Sequence, residues 1–297
     1  MSLGSRAAFA PAKVNLFLHV GPLRSDGFHP ISSLMAFADV GDRLEAAPAT
    51  RFSLEIEGPF ADHAPDSDDN LVMRAARALF AQAGLSADPP IGLRLTKNLP
   101  AAAGLGGGSS DAAAALMLLR GCLEAEVSDE ALRTIASSLG SDIPACLAAV
   151  TVLATGRGEI LSGAPDMPVL PAVLVRPDAG SATGPVYRAF DALGSEAQAD
   201  VPGLPPAFSS PAAAARFLAA CRNDLETPAT ALEPAIGQAL EALRARPETL
   251  LGRMSGSGSA CFALCADTPA AERLATAIAA DHPEWWVKAC RLGAPIS

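Results

Sequence analysis

Apolar and polar residues alternate near the start of the chain. Val14, Leu16, Leu18 and Val20 fall on one side of an extended backbone and Lys13 and Asn15 on the other, which predicts a strand over residues 9–20. Asp26-Gly27 is a turn signal, and strand-like runs follow over 33–37, 42–46 and 52–56. The period then changes. Leu71, Ala75, Ala78 and Leu79 recur at helical spacing within 70–83, and Gly84 supplies the stop. Residues 91–95 alternate again as a strand. The Ala/Leu/Met-rich run 111–120 predicts a helix, and another starts after Ser128 and ends at Gly140. A short apolar helix opens at 142–144, and strands over 150–155 and 159–161 flank Gly156-Arg157-Gly158.

Three prolines in 163–171 mark a lobe boundary. Beyond it lie a strand at 173–176, a Pro/Ser-rich loop at 194–211, and helices at 212–221 and 232–245. Strand, tight turn and strand follow over 250–265, then a helix at 270–280 and a strand at 286–290. Helices and strands mix without regular alternation, so the expected class is α+β, in two lobes.

Half of the 297 residues are hydrophobic, which excludes disorder. A formal charge of −10 disfavours nucleic-acid backbones and anionic membranes as partners, and obliges an anionic small ligand to find a local positive site. The first residues lack the apolar core of a secretory signal, and 112–119 is too short to span a bilayer. Six scattered cysteines form no C-x-x-C pair. The expectation is a reduced, cytoplasmic protein with no structural metal.

Four constellations carry chemistry. Gly104-Leu105-Gly106-Gly107-Gly108-Ser109-Ser110 leads directly into the helix expected at Asp111. Bare amides at a helix start, with ~+0.5 charge from the dipole, make a phosphate cradle. The spacing fits neither the P-loop nor the dinucleotide fingerprint. Ser109 and Ser110 could donate to phosphate, ligate Mg²⁺ or cap the helix; Asp111 is read as a cap with its carboxylate turned away. Lys13 with Asn15 offers a fixed ammonium, or a solvated lysine on an edge strand. Asp142, in Ser141-Asp142-Ile143-Pro144, is either a helix cap or a base or orienting group for a hydroxyl. The small residues 254–260 could close over a ligand or form a plain hairpin turn. Together they resemble the inventory of phosphoryl transfer.

Taken in order, these stretches resemble the signatures of the GHMP superfamily of small-molecule kinases. Residues 10–16 (APAKVNL), 104–111 (GLGGGSSD) and 254–260 (MSGSGSA) are similar to its three motifs. Asp26-Gly27-Phe28-His29, Leu139 to Pro144 and Asn223-Asp224-Leu225-Glu226 resemble the branch whose substrate is a cytidine diphosphate derivative of methylerythritol, used in non-mevalonate isoprenoid biosynthesis. The resemblance implies an N-terminal mixed sheet with helices over 1–162, binding ATP, and a C-terminal ferredoxin-like α/β sandwich over 163–297. It implies ATP and Mg²⁺, transfer of the γ-phosphate to the 2-hydroxyl of the methylerythritol unit, and a monomer or homodimer.

By position, Asp142 and Lys13 become catalytic. Gly104, Leu105, Gly106, Gly107, Gly108, Ser109 and Ser110 hold the triphosphate, and Asn70 and Lys97 line the adenine side. Asn15, Phe28, His29, Thr183 and Tyr187 take the acceptor, with Tyr187 and Phe28 stacking around cytosine. Phe28 stands where many relatives carry Tyr, and no acidic Mg²⁺ ligand is evident. Two other readings remain open: another kinase of the superfamily, of homoserine or mevalonate type, and a catalytically silent nucleotide-binding regulator.

Overall fold

The computed structural model describes residues 6–64, 69–123, 126–194 and 198–295; the first five residues and part of the loop expected at 194–211 lie outside them. Strand β1 (Arg6–Val20) runs antiparallel to β2 (Ile31–Pro48), which fuses the two strands expected at 33–37 and 42–46. Gly41 lies between them. It is needed because its backbone lies against β1: a Cβ there would sit 2.8 Å from the Ala10 carbonyl carbon. The ladder bulges between Pro11 and Lys13 and again between Asn15 and Phe17. Bulges re-aim side chains, and these two bracket the polar pair Lys13 and Asn15.

The long β2 organises the N-terminal half. β3 (Ser53–Glu57) lies parallel to β4 (Ile91–Thr96), and β4 pairs with the C-terminal half of β2. β5 (Val152–Thr155) pairs with its N-terminal half and with β6 (Ile160–Gly163). Helices α1 (Leu71–Gln82), α2 (Gly107–Cys122), α3 (Asp129–Leu139) and α4 (Ile143–Ala148) close a core around Phe37, Leu44, Phe80 and Leu116.

The second half holds α5 (Thr183–Ala192), α6 (Pro211–Ala219), α7 (Glu226–Leu232), α8 (Pro234–Arg244) and α9 (Thr268–Asp281). Its strands β7 (Leu170–Arg176), β8 (Thr249–Met254), β9 (Cys261–Cys265) and β10 (Trp286–Leu292) lie in the spatial order β10-β7-β9-β8, every pair antiparallel. That is the order of a β-α-β-β-α-β unit, as the ferredoxin-like expectation required. α5 was not anticipated from Thr183-Gly184-Pro185; a proline in the first turn forfeits no helical hydrogen bond.

The halves join through a bridge between Ala38 and Leu292 and through the buried Arg253. Its guanidinium donates to the carbonyls of Leu16 (2.8 Å), Leu218 (2.9 Å) and Cys221 (2.7 Å), so the charge is solvated by backbone rather than by an acid. All six cysteines are buried and unpaired. Among the described residues, no helix is long and apolar enough to cross a membrane.

Candidate active site

The glycine loop differs from expectation at its end. The helix starts at Gly107, four residues before Asp111, with Gly106 as its N-cap at φ +65°. Glycine propensity argued for loop, but packing outweighs a cost of about 1 kcal/mol per glycine. The amides of the first helical turn have no intrahelical acceptor, and Gly106, Gly107, Gly108 and Ser109 line a cleft of about 610 Å³. Gly104 and Leu105 line it as well. Ser110 does not: it is buried on the side of α2 that faces Cys146.

Asp111 is therefore inside the helix and caps nothing. Its carboxylate, far from being turned away, receives the Lys97 ammonium at 2.6 Å. Lys97 Nζ also donates to Asp42, whose other oxygen accepts from the amides of Asn98 (2.6 Å) and Leu99 (2.8 Å). This buried triad braces the segment before the glycine loop against α2. Burial works against the Lys97 charge, but Asp111 and Asp42 outweigh it and hold the ammonium above the ordinary lysine range. Burial pushes the Asp111 carboxyl up to about 7; Lys97 opposes that shift and Asp42 adds to it.

A pH dependence follows. Unfolded, this carboxyl ionises near pH ~3.9; folded, it keeps its proton to about 7. Between those values the unfolded chain binds fewer protons, so the group's contribution to stability is complete below the lower value and is lost as pH rises toward the upper one. Asp111→Asn cannot titrate. Its melting temperature, measured without nucleotide or divalent cation, is expected to gain on the wild type steadily from pH 4 to 7; parallel curves would refute the shift.

Lys13 and Asp142 meet as the motifs implied. Lys13 Nζ lies 3.0 Å from Asp142 Oδ2 and donates to Asn15 Oδ1 at 2.8 Å. Asn15 Nδ2 donates to Ser33 Oγ (2.7 Å), which donates to the Phe17 carbonyl (2.6 Å). Lys13 is thus held from behind by a relay of neutral groups. Among the described residues β1 has one ladder partner, as an edge strand does, yet Lys13 is only 4% exposed, which removes the solvated-lysine reading. Asp142 begins α4, but its side chain makes no capping hydrogen bond, which removes the capping reading too. The loop touches this pair: Lys13 N donates to the Leu105 carbonyl at 2.8 Å, and a Cβ on Gly106 would lie 3.1 Å from Lys13 Cε.

The residues 254–260 join β8 to β9 as a hairpin and also close on the glycine loop. Ser255 Oγ donates to the Gly104 carbonyl (3.0 Å) and accepts from Asn15 N (3.1 Å), and Ala260 N donates to the Ala103 carbonyl (2.9 Å). Asn223 secures the hairpin by donating to the carbonyls of Met254 and Gly256. Thr183 lines the cleft beside Ser257. Asn70 caps α1 through Val72 N at 2.9 Å and lines the cleft with Lys97.

The aromatic pair is arranged differently from the stack expected. Tyr187 lines the cleft, but its ring neighbour is His29, at 5.0 Å between centroids. Burial, with Asp142 adding, pushes the Tyr187 phenol up to about 12, so it stays a hydroxyl donor. Phe28 and His29 stand outside the cleft lining. Phe28 is half exposed beneath Arg157, whose guanidinium carbon is 4.6 Å from the ring centroid. Sequence reading missed Arg157, Asp42 and Ser33. A lone charge between two turn glycines, or one acid in an apolar strand, has no periodic signature.

Residues 70–149 match the GHMP kinases N terminal domain, and residues 207–284 match GHMP kinases C terminal. A 4-diphosphocytidyl-2-C-methyl-D-erythritol kinase of Caulobacter vibrioides is 55% identical over 287 residues, covering 96% of this chain and 99% of that one. A protein of the same name from Hyphomonas neptunium is 49% identical, covering 98% and 97%. The crystal structure of a 4-(cytidine 5'-diphospho)-2C-methyl-D-erythritol kinase superposes with a TM-score of 0.75 at 34% identity, over 98% of this chain and 100% of that one. A homoserine kinase from Cytophaga hutchinsonii superposes with a TM-score of 0.68 at 17% identity, a likeness of fold alone.

Proposed function

The chain belongs to the GHMP kinases, and on that premise we propose that Asp142 and Lys13 act on an alcohol while the amides at the head of α2 hold the phosphates of ATP. The protein is an ATP-dependent small-molecule kinase that phosphorylates the 2-hydroxyl of 4-diphosphocytidyl-2-C-methyl-D-erythritol, in isoprenoid precursor biosynthesis. The observation that carries the residue assignment is the 3.0 Å Lys13–Asp142 pair with its lysine stem lying against Gly106. One side chain spans the distance from the phosphate cradle to the carboxylate.

The acceptor oxygen forms a bond to the γ-phosphorus as the bond from that phosphorus to the β-phosphate's bridging oxygen breaks, leaving ADP. An aspartate is a weak base. A loose transition state asks little of the base early. Asp142 therefore orients the hydroxyl and takes its proton late. Lys13 holds Asp142 and faces the moving phosphoryl group. The amides of Gly106 to Ser109 supply preorganised donors for the negative charge.

Among the described residues, no three His, Cys, Asp or Glu side chains gather to hold a metal ion. Mg²⁺ would be held by the nucleotide's own oxygens, with the Ser109 hydroxyl lining the same cleft as a candidate ligand, and would neutralise phosphate charge. Asn70 and Lys97 are assigned to the adenine side, and Asn15, Thr183, Tyr187, His29 and Phe28 to the acceptor side. We take 1–162 and 163–297 as the two domains, each containing one of the family matches. The six unpaired cysteines favour the reducing cytoplasm.

ADP release measured with ATP, Mg²⁺ and 4-diphosphocytidyl-2-C-methyl-D-erythritol is expected to far exceed release with mevalonate or homoserine. A protein that binds ATP yet releases no ADP with any of these alcohols would be the silent regulator instead.

A further inference from the structure

Three cations line the cleft among the described residues: Lys13, Lys97 and Arg157. Two are committed. Lys13 is held by Asp142 and Asn15, and Lys97 by Asp42 and Asp111. Arg157 is held more loosely, by one long ion pair: its Nε stands 3.7 Å from Glu159 Oε1, beyond hydrogen-bond distance, and its terminal amino groups make no hydrogen bond among the described residues. The other oxygen of that carboxylate, Glu159 Oε2, accepts from the Arg157 backbone amide at 2.6 Å.

The turn that carries Arg157 is hydrogen-bonded on one side and lies near Asp142 on the other. The Gly156 carbonyl accepts from Ile31 N at 2.8 Å, next to the Phe28–His29 segment. On the other side, a Cβ on Gly158 would lie 3.6 Å from Ser141 Cβ and 3.8 Å from Asp142 Oδ1. The guanidinium itself lies over the Phe28 ring. Arg157 thus stands between Phe28 and Asp142. In a substrate built as base, ribose, diphosphate and alcohol, the diphosphate is what separates the base from the reacting hydroxyl. In a chain of net charge −10, such a group needs a cation. A planar guanidinium, already positioned on an aromatic face, matches its oxygens better than an ammonium would.

We propose that Arg157 binds the diphosphate of the acceptor substrate and so selects for nucleoside diphosphate-linked alcohols. This rests on the acceptor assigned above, which names no residue for that diphosphate. Arg157 takes no part in holding ATP.

The test uses Arg157→Gln and Arg157→Lys, each confirmed as folded by its melting curve, with CDP and cytidine as inhibitors competing with the acceptor. In Arg157→Gln the acceptor KM is expected to rise about tenfold to a hundredfold, the range of charged hydrogen bonds, with the KM for ATP unchanged. The wild-type preference for CDP over cytidine should collapse by a similar factor. Arg157→Lys, keeping the charge but not the fork, should retain part of that preference. An unchanged CDP-to-cytidine preference in Arg157→Gln overturns the proposal, as does a fall in kcat with the acceptor KM unchanged, which would place Arg157 on the transferring phosphoryl group. Failure of the acceptor reading looks different: neither inhibitor competes even with the unaltered enzyme, and the proposal goes with its premise.

Discussion

Asp142→Asn is expected to lower kcat by about 10²–10⁴-fold, the range for a positioned acid–base group, with the KM for ATP within about twofold of wild type. The substitution is nearly isosteric. Its amide oxygen can still accept from Lys13, so the pair that now sits at 3.0 Å need not reorganise. What is lost is the ability to take a proton and the negative charge that orients the acceptor hydroxyl. Asp142 caps no helix amide through its side chain, so α4 has no reason to unravel. Melting temperature should therefore change little while turnover collapses. Steady-state kinetics beside a thermal melt decides the matter: near-normal kcat in a folded variant would end the assignment of Asp142 to chemistry. The same logic makes Lys13 a poor first choice for mutation, because removing it takes a partner from the buried Asn15 as well as from Asp142.

The second large effect concerns the contact between the two loops. Gly104 sits at φ +71°, and a Cβ there would lie 2.8 Å from the Gly258 carbonyl oxygen, closer still to that of Ser255, and 3.1 Å from Gly258 N. These are backbone atoms and cannot swing aside. Gly104→Ala is expected to cost about 2–4 kcal/mol, combining left-handed strain with crowding. It should lower the melting temperature by about 5–10 °C and raise the KM for ATP, because the glycine loop must lift from the 254–260 hairpin. Gly84→Ala is the control. Gly84 has a similar φ of +67° but nothing within 4 Å of the added carbon, so it should show the strain alone, about 1 kcal/mol. Equal losses in the two variants would mean that the loops are not in close contact.

Much of the site was legible because it is locally encoded. A run of glycines before a helix former announces an anion cradle in any fold, and alternation around Lys13 and Asn15 put both on one face. The superfamily signatures added roles that spacing alone could not assign. The failures have a common cause. The helix start moved to Gly107 because packing of α2 against the sheet overrides glycine's poor propensity. Asp111 reads as a cap in the sequence because its partner, Lys97, is reached only through the fold. α5 was hidden by Gly184 and Pro185, residues that break a helix interior but are harmless in its first turn.

Periodicity, capping residues and turn glycines act within a few positions, so the chain alone determined the α+β class, nearly every element and the order of its phosphate-handling motifs. Which side chains meet depends on strand register, bulges and the approach of loops far apart in the chain. Only the tertiary structure decided that Lys13 reaches Asp142, that Asp42 and Asp111 share Lys97, that Ser110 turns away from the cleft and that Arg157 rests on Phe28. Each of those pairings is set by long-range packing, which leaves no periodic trace in the order of residues.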